Sequence, residues 1–176
     1  MTRDDPVVTA AKAGDPDAWR ELYRAHAGRL LRWLERRDDH GHAEDLAAEA
    51  WLTAASKIAD FRGDVDQFAG WLFAISRNLE SNVRRREARR ATSPADDLEV
   101  LASPILPSHE ETVAIDDWVR VTLAQLPSRE RDVLTCSEVL GMDGPQTAAA
   151  LGISAVAVRV ARHRGLKRLR ALGQPA

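Results

Sequence analysis

The sequence predicts an all-α fold of two small helical domains joined by a flexible acidic linker, and three observations carry this. Apolar residues recur at helical spacing in both halves of the chain. Between the halves, from Thr92 to Ser108, the periodicity stops and Pro94, Pro104 and Pro107 stand among serines and alanines. Charge is segregated along the same boundaries. Six arginines fall between Arg77 and Arg90, against Glu80 and Glu87 alone. Seven acids and no base lie from Ala91 to Asp117, and six bases and no acid from Ser154 to Leu172. A length of 176 residues allows two small domains. The expected boundaries are 1–91, 92–112 for the linker, and 113–176.

The net charge of −2 therefore conceals two basic elements and an acidic tether, a pattern that suits a polyanionic partner better than the average suggests. With one cysteine, Cys136, neither an intramolecular disulfide nor a cysteine-built zinc site can form. Its place on an apolar helix side reads as a small core residue. No apolar run reaches the length of a membrane span, and the start MTRDDPVV has no signal-peptide core. A cytoplasmic protein without membrane insertion is expected.

Pro6 to Ala13 reads as a short helix ended by Gly14. Asp15 as N-cap and Pro16 at the first position start a second, to about Arg37, with Ala18, Leu22, Leu30 and Leu34 on one face. His40 and His42 fall in the following turn without a third ligand group, so solvated loop residues are expected rather than a metal site. A third helix, about Ala43 to Ala59, turns Leu46, Ala47, Ala50, Ala54 and Ile58 inward. Its acidic first turns, Glu44, Asp45 and Glu49, suit the helix dipole or a basic partner.

After the loop at Arg62-Gly63-Asp64 comes a long helix with Phe68, Leu72, Ile75, Leu79 and Val83 on one stripe. Trp71, Asn78, Asn82, Arg85 and Arg89 border that stripe. A stacking ring, two amides and two guanidiniums are the groups a single nucleic-acid strand requires. A solvated amphipathic helix is the plainer alternative.

In the second half, Val113 to Gln125 reads as a helix with Trp118 and Val121 inside, and Arg129 to Leu140 as the next. Pro145 opens a short helix, Gly152 allows a turn, Ile153 plugs the core and Ser154 caps a basic last helix. This is a helix-turn-helix pattern. On the last helix Val158, Ala161, Gly165, Leu169 and Leu172 should face inward. Val156, Arg159, Val160, His163, Lys167 and Arg170 should face outward, toward a DNA major groove and its phosphates or toward solvent.

In order, the chain carries Gly14-Asp15 with Leu22-Tyr23, Ala43-Glu44-Asp45-Leu46 with Glu49, Phe61-Arg62-Gly63, Trp71-Leu72, Ile75, Arg77-Asn78 and Arg84-Arg85-Arg86. Leu126-Pro127, Arg129 to Leu134, Ala148, Leu151-Gly152-Ile153-Ser154, Val158, Arg164 and Lys167 to Arg170 follow. This ordered set resembles a bacterial sigma factor of the extracytoplasmic-function group, which has only regions 2 and 4. The resemblance implies no catalytic residue, cofactor or metal. It implies binding to core RNA polymerase at the β′ clamp helices, through Asp45, Leu46 and Glu49, and at the β flap. It implies −10 recognition by Phe61, Arg62, Trp71, Asn78 and Asn82, with Arg84, Arg85 and Arg89 on phosphates. It assigns Ser154, Val156, Arg159, Val160, His163, Arg164 and Lys167 to the −35 element of promoter DNA. An anti-sigma factor is a common partner in the family.

The chain departs from the family pattern at Ala48, Ala55, Pro145-Gln146-Thr147 and Ala161-Arg162. Arg162 is expected either to point partly inward and extend its charged end to the surface, or to be turned out by a rotation of the helix. Two rival readings stand beside this one: a stand-alone helix-turn-helix regulator and a helical adaptor. A hydrolase lacks its motifs, since no GxSxG, HExxH or P-loop is present.

Overall fold

The computed structural model describes residues 5–37, 41–91 and 119–172, which form helices joined by short turns. The expected linker, Trp118 and His40 lie outside the described residues. The first half contains α1 (Pro6–Lys12), α2 (Pro16–Glu35), α3 (Ala43–Lys57) with a 3₁₀ turn at Ile58–Asp60, and α4 (Val65–Ala91). The second contains α5 (119–124), α6 (Ser128–Leu134) with a π turn at Thr135–Val139, α7 (Gly144–Leu151) and α8 (Ala155–Leu172).

Side chains punctuate these helices where the sequence indicates. Asp5 accepts from the backbone N–H groups of Val7 and Val8 at 2.9 and 3.2 Å, and Asp15 from Asp17 at 2.7 Å, each with Pro at the helix start. Asp64 and Gln67 cap α4 reciprocally, and Asp143 and Gln146 do the same for α7. Gly152 ends α7 at φ +63°, a backbone conformation that L side chains avoid. Ser154 Oγ accepts from Ala157 N at 3.2 Å and opens α8.

Differences from the expected elements have local causes. The helix expected over Arg129 to Leu140 widens into a π turn, closed by Leu140 N donating to Thr135 O at 3.0 Å. Thr135 and Ser137 hydroxyls donate to the carbonyls four residues back, which bends such helices. Val121 and Leu172, expected inside, are exposed, because α5 buries Leu123 instead and α8 ends beyond its support. Arg162 does not turn inward: Ala161 takes the buried position and Arg162 Nε reaches Glu138 at 2.6 Å on the surface.

The two halves pack against each other. Phe68 and Leu72 of the predicted α4 stripe are fully buried, and Ile75, Leu79 and Val83 partly. A second α4 face, with Ala69, Gly70, Phe73, Ser76 and Glu80, is buried as well. Helix α7 packs there: a Cβ on Gly70 would come within 2.9 Å of Ala149 Cβ and 3.0 Å of Gln146 O. Gln146 Nε2 donates to Asp66 O at 2.9 Å, and Arg77 donates to the carbonyl of Leu151. Beside this crossing, Arg37 lies 4.6 Å over the Trp33 ring and bridges Glu80 of α4 at 2.9 Å to Asp132 of α6 at 2.8 Å. Burial works against the Arg37 charge, but Asp132 and Glu80 outweigh it and keep the guanidinium ionised.

Hydrophobic packing follows the same division. Leu123, Leu126 and Leu134 form a small core of the second half alone, whereas Val133, Cys136, Leu140, Met142 and Ala150 join the larger core of the first half. Burial, with Asp132 also raising it, pushes the Cys136 thiol up to about 12, in keeping with a core residue. His26 is 5% exposed, faces Phe68 at 5.7 Å, and has no hydrogen-bond partner on either ring nitrogen among the described residues. Burial, then Arg29, lowers its pKa from 6.5 to about 4, against a smaller opposing effect of Asp66.

The unfolded chain therefore takes up a proton at His26 below pH 6.5 that the folded chain refuses until about pH 4. Stability from this site is unaffected above pH 6.5 and should fall by about 1 kcal/mol per pH unit through that window. Urea unfolding at stepped pH checks this: the midpoint should drop on acidification, and His26→Leu should flatten the drop.

Candidate nucleic-acid interface

Two separate surfaces carry the residues expected to meet nucleic acid. The first is the outer edge of α4 and the loop before it. Trp71 is partly buried, its ring 4.8 Å from Phe61 and 5.6 Å from Phe68. Two aromatic neighbours thus brace the indole, which stays partly exposed. Two and three turns onward, Asn78 and Asn82 are exposed, followed by exposed Arg85 and Arg89. Arg85 Nη2 donates to Asn82 Oδ1 at 3.0 Å and its Nε to Ser81 O at 3.2 Å, so the guanidinium is held along the helix surface.

The structure corrects three assignments. Phe61 is only 5% exposed and packs edge-on against Phe68, so it braces Trp71 from inside the loop and offers no ring to a partner. Leu46 is buried at 4% exposure because the inner stripe of α3 points it into the core, leaving exposed Asp45 and Glu49 as that helix's outward groups. Arg84 is exposed but already engaged, at 2.7 Å from Glu80 Oε1 and 2.6 Å from the carbonyl of Arg37. Arg62, also exposed, folds back to the carbonyls of Ala59 and Phe61 at 2.8 and 3.0 Å and stiffens the loop.

The second surface is the outward face of α8. Val156 and Val160 are 58% and 43% exposed, one turn apart, with exposed Arg159 and His163 interleaved. Bases on this helix separate into two sets. Arg162 and Arg168 are tied to Glu138 and Glu130, each at 2.6 Å. Arg159, Arg164, Lys167 and Arg170 have no ion pair among the described residues and project from one uncompensated positive face. Exposed valines beside arginine and histidine fit thymine methyls and base-edge acceptors in a major groove. Ser154 stands at the cap of this helix, the position from which a helix start meets a phosphate.

A third surface was not anticipated from the sequence. Trp19, Tyr23, Leu31, Trp51 and Leu52 line an apolar groove of about 1120 Å³ between α2 and α3. Tyr23 is 55% and Leu52 72% exposed, with the Tyr23 and Trp51 rings 5.0 Å apart. The available signal was a set of large apolar residues off the inner stripes of both helices. No cluster of three metal-ligating side chains occurs among the described residues, and no described helix is long and apolar enough to cross a membrane.

Comparison with known proteins matches these two surfaces to two regions of one family. The family model described as Sigma-70 region 2 matches residues 22–90, and that described as Sigma-70, region 4 matches residues 116–169. The ECF RNA polymerase sigma factor SigD of Mycobacterium tuberculosis is 30% identical over 175 residues, covering 96% of this chain and 82% of SigD. The ECF RNA polymerase sigma factor ShbA of Streptomyces griseus is 31% identical over 180 residues, covering 96% of this chain and 94% of ShbA. The fold is similar to that of CnrH, solved in complex with the cytosolic domain of CnrY, with a TM-score of 0.66 at 23% identity over 94% of each chain. It is equally similar to RpoE of Bartonella quintana, solved in complex with the anti-sigma factor NepR: a TM-score of 0.66 at 24% identity, covering 89% of this chain and 96% of that one.

The buried position of Phe61 makes a prediction. Phe61→Ala should cost about 3 kcal/mol of stability, the usual range for emptying a buried aromatic site. Arg62→Ala, on the loop surface, should change stability by no more than about 0.5 kcal/mol. Denaturant titration of the two variants checks the contrast.

Proposed function

The chain belongs to the extracytoplasmic-function group of the sigma-70 family and acts in promoter-directed transcription initiation; from that premise we propose how its surfaces divide the work. One observation carries the division: two exposed nucleic-acid-type faces of different chemistry stand in the two matched regions. The α4 edge offers an aromatic ring and amides, which suit unstacked bases. The α8 face offers valines, arginine and lysine on one side of a helix, which suit duplex DNA.

Residues 1–91 bind core polymerase and the −10 element, 92–112 form the tether, and 113–176 bind the −35 element. The apolar groove of α2 and α3, with Asp45 and Glu49 exposed on the same α3, supports docking on the β′ clamp helices. Apolar area there gives affinity while the carboxylates select a basic partner. On the melted strand, Trp71 stacks a base and Asn78 and Asn82 bond to base edges. Unstacking a base costs a few kcal/mol, which a pocket anchored on polymerase can offset. Arg85 and Arg89 neutralise phosphates beyond it. In the major groove, Arg159 and His163 read acceptors, Val156 and Val160 pack on methyl groups, and Ser154, Arg164 and Lys167 hold the backbone.

Neither half need bind DNA tightly. Once both sit on one polymerase the second contact becomes intramolecular, and element spacing enters the specificity. The chain itself makes and breaks no bonds; polymerisation belongs to the core enzyme. The family relatives solved with regulators support an anti-sigma factor as a further partner.

Reconstitution tests the reading. Chain plus core polymerase should start transcripts at a defined promoter, and the chain alone should bind the same duplex weakly. Tight sequence-specific binding without polymerase would favour the stand-alone regulator. Asn78→Ala should reduce promoter opening, read by permanganate footprinting, at least tenfold more than polymerase binding. Lys167→Ala should weaken holoenzyme binding to all promoters and lower the salt slope by about 1.

A further inference from the structure

Beside the seam where the two halves meet lies a pocket of about 540 Å³ that belongs to neither nucleic-acid-type face. Five arginines line it: Arg36 and Arg37 at the end of α2, Arg84 on α4, Arg120 on α5 and Arg131 on α6. Glu35 and Asp132 are the acids of its wall, and Glu80 is paired with both Arg37 and Arg84. Five guanidiniums against three carboxylates leave an excess of two positive charges among the described residues. Like charges gathered around one space repel one another, and an anion placed between them relieves that repulsion. The volume is of the size usual for small-molecule sites.

The guanidiniums are held in place with donors to spare. Arg37 spends Nε on Glu80 at 2.9 Å and Nη1 on Asp132 at 2.8 Å, so Nη2 keeps its N–H groups. Arg84 reaches Glu80 and the Arg37 carbonyl through Nη2 alone, at 2.7 and 2.6 Å, which leaves its Nε and Nη1. Arg131 is half-buried and has no side-chain hydrogen bond or ion pair among the described residues. Donors fixed beforehand lose little freedom when a ligand arrives. Ser128 adds a hydroxyl, and Leu123 and Ala124 give the wall an apolar stretch. One carboxylate would occupy a single arginine fork. Guanidiniums converging from three helices suit a chain of phosphoryl groups, which presents several charged oxygens at once.

We propose that this pocket binds a small molecule bearing a di- or triphosphate group, with Arg37, Arg84 and Arg131 donating to its phosphoryl oxygens. The bound ligand bridges α2, α4 and α6 and stabilises the folded chain by mass action. The site depends on neither polymerase nor promoter, so its test stands apart from the sigma-factor reading.

Calorimetric titration of the full chain with sodium tripolyphosphate should show one site per chain, at least tenfold tighter than for orthophosphate or sulfate. Arg131→Gln and Arg84→Gln, each first checked by circular dichroism for unchanged helix content, should weaken that binding at least tenfold. Lys57→Gln removes an exposed cation on α3 and should leave it within twofold. Tripolyphosphate should raise the melting temperature of the wild type and of Lys57→Gln, and should not raise that of Arg131→Gln. A nucleoside triphosphate that binds more tightly than tripolyphosphate places a base against Leu123 and Ala124; one that binds no more tightly assigns the site to the phosphate chain alone. Either result supports the proposal. In the wild type, absence of saturable binding, several weak sites per chain, or equal affinity for orthophosphate would overturn it, whatever the variants do. Unaltered affinity in both folded variants would do the same. So would a single-stranded oligonucleotide that outcompetes tripolyphosphate at these arginines, because the pocket would then be a further stretch of nucleic-acid surface.

Discussion

Helix α4 must bury two faces at once, and the arrangement of the molecule follows from that. One face, with Phe68 and Leu72, closes the bundle of the first half; the other, with Ala69, Gly70, Phe73 and Ser76, receives α7. The edge of Trp71, Asn78, Asn82 and Arg85 borders the first face on the side away from the second. At its start the edge is braced, since Phe61 and Phe68 pack against Trp71. A base-binding surface gains from such support, since side chains fixed beforehand lose little freedom on binding.

Most of the elements were legible because they rest on local chemistry. Asp15-Pro16, Gly152 and Ser154 are helix punctuation whose meaning does not depend on distant contacts, and each stands where its type requires. The α8 face was equally legible, since Val156 and Arg159 are outward by simple helical periodicity. What escaped was non-local. Phe61 reads as a loop aromatic free to contact a partner until three-dimensional packing sets it between Phe68 and Trp71. Leu46 belongs to a motif with two outward acids, yet it faces the core. The second buried face of α4 is made of Ala, Gly and Ser, residues too small to register as an apolar stripe. Glu80 and Asp132, 52 residues apart, read as ordinary helix acids, and only the fold brings them to Arg37.

The chain's departures from its family have physical places in this arrangement. Ala161 fills the buried position on α8, which releases Arg162 to pair with Glu138 on the surface. Gln146 serves as both cap and cross-seam donor, and Thr147 is fully buried beside it in α7. Nothing in the structure explains Ala48 or Ala55 beyond their lining the apolar groove, where small side chains keep it open.

The seam between the halves joins apolar packing to a close helix crossing and an ion cluster. Val133, Cys136, Leu140 and Met142 of the second half share a core with Phe68, Leu72 and Phe73 of α4, and such burial gains about 25 cal/mol for each Å² of apolar surface. Here the crossing is glycine against alanine, flanked by an ion cluster and by hydrogen bonds to backbone carbonyls. Charges taken out of water give little net stability even when well paired, because their desolvation nearly cancels their attraction. They demand an accurate fit, however, and so fix how the halves meet. The second half also keeps Leu123, Leu126 and Leu134 as a small core of its own beside the one the halves share. Apolar area shared between the halves gives the seam its stability, and the close crossing and the ion cluster set how the halves meet.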